Sequence, residues 1–172
     1  MSDIGDALRG ARAYLTDHPA EARYRDSPAT ARMVGGLAAE VEGPDGASLR
    51  TDMPAGIGGG ASAPSPGWYL RAAQASCVAT LVTMRAAEEG VVLDHLVVTV
   101  DSESDDRGIT GAVADIPAGP LSGRVKVMLG AAGADEATLR SIAEWGWQHC
   151  PVDDAIRRAV PVDLEIEVRS QT

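Results

Sequence analysis

The chain is 172 residues long, with 15 Lys and Arg against 25 Asp and Glu and a formal charge of −10, which fits one self-sufficient domain with room for a small appendage. At 45% hydrophobic and 23% charged residues the composition excludes bulk disorder. A pI near 4.6 speaks against nucleic acid and against an anionic membrane face as partners. With 3% aromatic residues and no Phe, base-stacking platforms are excluded as well, and the core falls to Val, Leu, Ile, Met and Ala.

No stretch reaches the roughly 18 uncharged apolar residues of a membrane span. Residues Met1 to Asp6 are acidic and lack a basic stretch followed by an apolar one, so no secretory signal is expected and the cytosol is the expected compartment. From Asp3 to Asp17 the residues Ile4, Leu8, Ala11 and Leu15 form a helical stripe, which Pro19 ends because the residue before proline avoids the helical region. The breakers that follow make this helix an appendage on a linker. Met33 to Glu42 reads as a strand, Gly43-Pro44-Asp45-Gly46 as a turn, and Ser48 to Asp52 as the returning strand of a hairpin.

The loop Pro54 to Ala61 holds Gly56-x-Gly58-x-x-Ala61. It nominally matches a dinucleotide fingerprint but lacks the acidic residue downstream and the strand-to-helix context. Neither this loop nor any other carries the Gly-Lys-Ser/Thr of a phosphate-gripping loop. Ser65 is a helix cap with Pro66 at the first helical position, and the helix they open runs to about Glu89, with Gly90 as its left-handed stop. Between Ala72 and Met84 it carries no charge and is apolar on every side, which predicts a central helix buried all round. Cys77 lies in the middle of that run.

Leu96, Val98 and Val100 alternate as a strand. Ser102 to Pro120 reads as an irregular acidic loop or a lengthened strand end, and Leu121 to Leu129 as a half-buried strand. Asp135 caps a second helix whose inner stripe is Leu139, Ile142, Ala143, Gly146 and Cys150. Pro151 breaks it, one or two turns follow, and Val160 to Arg169 closes the chain as a strand with Val160, Val162, Leu164, Ile166 and Val168 on its inner face. Strands that arrive in groups, with few crossovers, indicate an α+β fold. A sheet leaves one face of the apolar helix bare, and a symmetric second copy would cover it.

Two cysteines in a cytosolic chain are either inert buried thiols or a redox pair. Cys77, amid Ala and Val, has the environment of a small hydrophobe with a raised pKa. Cys150, just before Pro151, stands where a new turn would aim free N–H groups at the sulfur and favour a thiolate. His149 beside it is a candidate base or a simple helix-end residue, and Trp145 and Trp147 are candidates for lining a pocket or for packing. His18 and His95 have no clustered partners, and no metal-ligand spacing occurs.

The run Ala72-Ala-Gln-Ala-Ser-Cys77-Val-Ala-Thr80 with Pro66 ahead of it, together with His149-Cys150-Pro151-Val152, resembles the paired cysteine motifs of the OsmC/Ohr family of osmotically inducible proteins and organic hydroperoxide reductases. The resemblance spans residues 31 to 169. It implies an N-terminal extension over residues 1–30 and an OsmC-like domain over 31–172. The implied fold is an intertwined α+β homodimer with antiparallel sheets wrapped around two central apolar helices. The implied activity is that of a thiol peroxidase with Cys77 as peroxidatic and Cys150 as resolving thiol, organic hydroperoxides as substrates, a dithiol such as a lipoyl group as reductant, and no metal or flavin cofactor. Two family features differ here. The Glu ten residues before the first Cys is Gly67, and the first hairpin turn, read as Pro44-Asp45-Gly46, holds no Arg; Arg50 and Arg71 are the candidate substitutes. Two other readings stand beside this one: a non-enzymatic OsmC-like dimer that binds a small hydrophobic ligand, and a cysteine-dependent acyl hydrolase.

Overall fold

The computed structural model describes residues 4–169, so the expected helix start at Asp3 lies outside the described residues. The first helix, α1 (Ile4–Asp17), is no loose appendage. It lies against the end of the long helix α2 (Pro66–Glu88), where a Cβ on Gly5 would stand 2.7 Å from the Ala87 carbonyl oxygen. Arg12 pairs with Glu88 at 2.5 Å. The absence of a side chain at Gly5 is what admits this approach, a feature that the apolar stripe alone does not reveal.

The segment expected to be one strand from Met33 to Glu42 is two. β1 (Thr30–Gly35) and β2 (Ala38–Glu42) pair antiparallel around Gly35-Gly36, with Gly36 at φ 53°, so the glycine pair turns the chain where the apolar run reads as continuous. The hairpin at Pro44–Gly46 is present, with Asp45 left-handed at φ 55°, and leads into β3 (Ser48–Thr51). This three-stranded sheet leaves Met33, Val34, Leu37 and Leu49 exposed.

The Gly-rich loop after β3 folds around one carboxylate. Asp52, 3% exposed, accepts hydrogen bonds from the Met53, Gly60 and Ser62 amides and from the Ser62 hydroxyl at 2.7, 3.3, 3.0 and 2.7 Å. These donors, the Ser62 amide foremost, hold its pKa down to about 2. The amides a dinucleotide phosphate would need are turned onto the protein's own Asp52. A carboxyl with a depressed folded pKa stabilises the loop above its unfolded pKa near 4, and that contribution is lost as the pH falls toward 2. Protection factors for hydrogen exchange at the Gly60 and Ser62 amides should therefore fall from pH 4 downward. In Asp52→Asn the Ser62 amide should lose protection about tenfold already at pH 7, the equivalent of one charge-assisted hydrogen bond. Unchanged protection in the variant would refute this account of the loop.

Ser65 caps α2 by accepting from the Trp68 amide at 3.2 Å, and Gly90 ends it at φ 72°. β4 (His95–Glu103) and β5 (Ser122–Gly130) form a long antiparallel pair with Val98 opposite Val127. Between them the expected irregular segment contains a single short helical turn, α3 (Asp106–Ile109), capped by Asp105. The Asp135 carboxylate accepts from the Thr138 amide at 2.7 Å and opens α4 (Glu136–Gln148); Cys150 then opens α5 (Pro151–Arg157). Val78, Val82, Ala86, Ile142 and Cys150 make the core, roofed by Leu96, Val98, Val125, Val127 and Leu129 of the β4–β5 pair.

Within the single chain one expectation is met on one side only and one fails. α2 is buried along Val78, Val82 and Ala86, but Ala73, Ser76, Thr80 and Thr83 are exposed; α4 and β4–β5 cover one side only. The closing segment forms no strand: Val162, Leu164, Ile166 and Val168 are 87, 85, 73 and 87% exposed, and residues 160–169 join neither sheet. A strand exists only where a neighbour supplies the ladder, and no described segment of this chain supplies one to residues 160–169. Among the described residues no helix is long and apolar enough to cross a membrane.

Candidate active site

Cys77 sits near the middle of the uncharged run of α2, half-buried, and Cys150 is fully buried at the junction of α4 and α5. The two are brought together: both thiols are free, Cys77 packs against the core cluster that contains Cys150, and the Cys77 thiol is one of the groups that push the Cys150 pKa up. α2 presents Cys77 on the side that faces α4 and α5. Pro151 breaks the chain after α4 and turns the Cys150 side chain back into the core.

Cys150 caps α5 as expected, its Sγ accepting from the Asp153 amide at 3.3 Å. The consequence drawn from that position, a thiolate, is overturned. Burial pushes the Cys150 thiol up, and the amide hydrogen bonds and the neighbouring Cys77 thiol do not reverse the direction. A helix N-terminus of seven residues is too weak to outweigh complete removal from water.

A cavity of about 610 Å³ is walled in part by Gln74 and Asp153 but by neither cysteine. Its apolar walls are Leu70, Val100, Val125, Trp147 and Ile156, and its polar groups include Arg71, Gln74, Asp153 and Arg157. Gln74 and Asp153, each three residues from a cysteine, connect the cavity to the thiols. The Gln74 amide donates to Asp153 Oδ1 at 2.7 Å, the Arg157 guanidinium donates to Asp153 Oδ2, and Arg157 lies over the Trp147 ring at 5.1 Å.

Arg71 donates to the Ser102 hydroxyl at 3.2 Å and forms no ion pair among the described residues. It also flanks the space above Gly67, whose Cβ would stand 3.9 Å from its guanidinium. Arg50 is an exposed residue of β3, opposite Glu40, and does not line the cavity. His149 is no base for Cys150: its Nδ1 is taken by the Trp145 carbonyl at 2.8 Å and its ring stacks on Trp145, over which Arg85 also lies. Trp145 thus packs and Trp147 lines the cavity. The reading from sequence missed Gln74, Asp153 and Arg157. Their signal is positional, polar residues at three- and four-residue steps from the cysteines on faces that the apolar stripes place inward.

The profile of the family described as OsmC-like protein matches residues 58–165. The chain belongs to the OsmC-like family. Solved structures share the fold: an organic hydroperoxide resistance protein OsmC from Legionella pneumophila (22% identity, TM-score 0.56, covering 78% of this chain and 91% of that one) and the organic hydroperoxide resistance protein OhrB of Bacillus subtilis (22%, 0.52, 83% and 98%). An OsmC-like protein of unknown function from Vibrio cholerae is similar at 9% identity and TM-score 0.64, over 77% of this chain and 94% of that one. No curated protein matches the chain. As an OsmC-like protein it departs from the expected peroxide-orienting pair in a revised place. The first hairpin turn is Gly35-Gly36 followed by Leu37, not Pro44-Asp45-Gly46, and neither turn holds an arginine.

Proposed function

We propose that this OsmC-like protein reduces organic hydroperoxides through Cys77 and Cys150. The observation that carries the reading is the meeting of these two free thiols, from distant segments, in one core cluster; a cavity large enough for a small organic molecule lies at Gln74 and Asp153, each three residues from a cysteine. Cys77 as thiolate attacks the terminal oxygen of the hydroperoxide. The O–O bond breaks, the alcohol departs with a proton, and Cys77 becomes a sulfenic acid. The Cys150 sulfur then attacks the Cys77 sulfur, the S–S bond forms, the S–O bond breaks and water leaves. A dithiol reductant restores both thiols by exchange and is itself oxidised to a disulfide. The raised pKa of buried Cys150 supports the assignment of roles, since the group held protonated is the poorer first nucleophile. Arg157 is neutralised by Asp153, so among the described residues Arg71 is the cation on the cavity wall without an ion-pair partner, placed to meet the polar end of the hydroperoxide in place of the family's missing Glu and Arg.

The test is one equivalent of cumene hydroperoxide at neutral pH, followed by thiol blocking and mass spectrometry. A Cys77–Cys150 peptide pair lighter by two hydrogens supports the reading. Slow or absent oxidation of folded protein favours the binding-only alternative, which the cavity alone would satisfy. Ester hydrolysis lost in Cys77→Ala would favour the acyl hydrolase.

The functional unit in this reading is a homodimer. The exposed apolar alternation of residues 162–168, the bare face of α2 at Ala73, Ser76, Thr80 and Thr83, and the uncovered β1–β3 sheet each lack a cover within the chain. A second copy would supply one to all three. Each fully buried Leu or Ile contributes about 1.5–3 kcal/mol, so a charge at such a position removes that gain and adds a desolvation cost. Light scattering should give twice the chain mass for the wild type and a monomer for Leu164→Asp/Ile166→Asp. A double variant of unchanged mass would refute a dimer built on this segment.

A further inference from the structure

We propose that Asp153 is a positioning residue that, through Gln74, holds the two sulfur-bearing segments at closing distance, so that it governs formation of the Cys77–Cys150 disulfide rather than the first attack on the oxidant. For its oxidant the inference rests on the peroxidase reading; for its geometry it does not. Asp153 is 3% exposed, and a carboxylate so placed persists only if its oxygens are met. Both are, by donors from two different elements. Gln74 of α2 donates to Oδ1 at 2.7 Å, and Arg157 of α5 donates to Oδ2. The same residue's backbone amide donates to Cys150 Sγ at 3.3 Å.

One residue therefore touches the resolving sulfur with its main chain and the peroxidatic helix with its side chain. Gln74 precedes Cys77 by three residues, and so shares its face of α2, and Asp153 follows Cys150 by three residues. Among the described residues Gln74–Asp153 is the one side-chain hydrogen bond from α2 to α5. A helix of seven residues has no stability of its own, so the placement of α5, and of the sulfur at its cap, depends on such ties. An ordinary i,i+4 ion pair on a surface would contribute little. This one is anchored in a buried carboxylate that reaches across to another element, and Arg157, held over Trp147 at 5.1 Å, fixes its orientation.

Closure needs the two Cα atoms within about 7 Å and a narrow range of S–S torsion, and small misplacements of reacting groups cost large factors in rate. The step affected is the condensation of Cys77 sulfenic acid with the Cys150 thiol, in which S–S forms, S–O breaks and water leaves.

The experiment compares wild type, Gln74→Ala, Asp153→Ala and Asp153→Asn in two assays. In the first, each protein receives one equivalent of cumene hydroperoxide, and the rates of Cys77 sulfenic acid formation, trapped with dimedone, and of disulfide formation are measured by intact mass. In the second, which uses no hydroperoxide, the Cys77–Cys150 disulfide is equilibrated with reduced and oxidised glutathione to give the effective concentration of one thiol for the other. In Gln74→Ala and Asp153→Ala the ratio of closure to sulfenic acid formation and the effective concentration should each fall about tenfold, the weight of one buried charge-assisted hydrogen bond. Asp153→Asn, whose amide oxygen still accepts from Gln74, should stay within about threefold of wild type. Gln74→Ala alters one half-buried helical side chain to the best helix former, so it reports even where Asp153→Ala fails to fold. Variants equal to wild type in both assays overturn the inference and leave the peroxidase reading standing. A wild type inert to hydroperoxide whose glutathione value still falls in the variants defeats the peroxidase reading and sustains the clamp. A wild type that forms no Cys77–Cys150 disulfide in either assay overturns both.

Discussion

Serine in place of Cys77 should abolish hydroperoxide consumption, whereas serine in place of Cys150 should leave one rapid turnover and stop the second. The hydroxyl of serine is a far weaker nucleophile than a thiolate, and removing the attacking group of an enzyme costs on the order of a thousandfold or more in rate. Cys150→Ser keeps the attacking sulfur, so one equivalent of hydroperoxide is consumed in a burst and Cys77 remains as a sulfenic acid. With no partner to condense with, that acid is open to further oxidation, to sulfinic acid. The pH dependence should separate the steps. Burial holds the Cys150 thiol above its ordinary pKa, so in the wild type the closure step should accelerate as the pH rises above neutrality, while more of Cys150 becomes the attacking thiolate. Peroxide loss measured by stopped flow, with dimedone trapping, resolves both. A Cys150→Ser protein that turns over repeatedly at the wild-type rate, or a Cys77→Ser protein that keeps its burst, would require the roles to be reassigned.

The elements that position these sulfurs were readable from local chemistry. Ser65 and Pro66 announce the start of α2, Gly90 its end, and Asp135 the start of α4, and each does the job its type suggests. The strict alternation of Leu96, Val98 and Val100 and of Val125, Val127 and Leu129 returned as the half-buried faces of β4 and β5. What was not readable depends on what an element meets. The break at Gly35-Gly36 was hidden because apolar residues flank it on both sides. Apolarity all round α2 and along residues 160–168 predicts burial, but not by which chain, and within this chain both stay partly bare. The ionisation of Cys150 was misjudged because a favourable dipole can be inferred from the Cys-Pro junction, whereas complete burial is a property of the packed whole. Asp153 escaped notice for the same reason. An aspartate in the first turn of a helix usually faces water, and only its position one turn beyond a core cysteine marks it as different.

Alanine at Gly146 should be the most damaging small substitution in the scaffold that holds the two cysteines. Gly146 lies on the inner stripe of α4, and a Cβ there would stand 2.5 Å from Val82 Cγ2, 2.7 Å from the Val82 backbone nitrogen and 2.9 Å from its Cα. Val82 is fully buried, and two of the three clashing atoms belong to the backbone of α2, so no rotamer change relieves the contact and the helices must separate. Overpacking a core in this way costs about 1–3 kcal/mol, and more where backbone must move. The gain in helix propensity from Gly to Ala returns only about 1 kcal/mol, so steric loss wins and denaturant unfolding should show a net loss of roughly 2 kcal/mol or more. Gly10 is the internal control, an exposed position of α1 where a Cβ meets nothing within 4 Å. Gly10→Ala should be neutral or stabilising by up to about 1 kcal/mol. Because Cys77 rides on α2 and Cys150 follows α4, forcing the helices apart at Val82 should also lower the effective concentration of the two thiols in glutathione equilibration. Gly146→Ala with wild-type stability would mean that α2 and α4 do not cross at Val82, and the convergence of the two sulfurs would lose its structural basis.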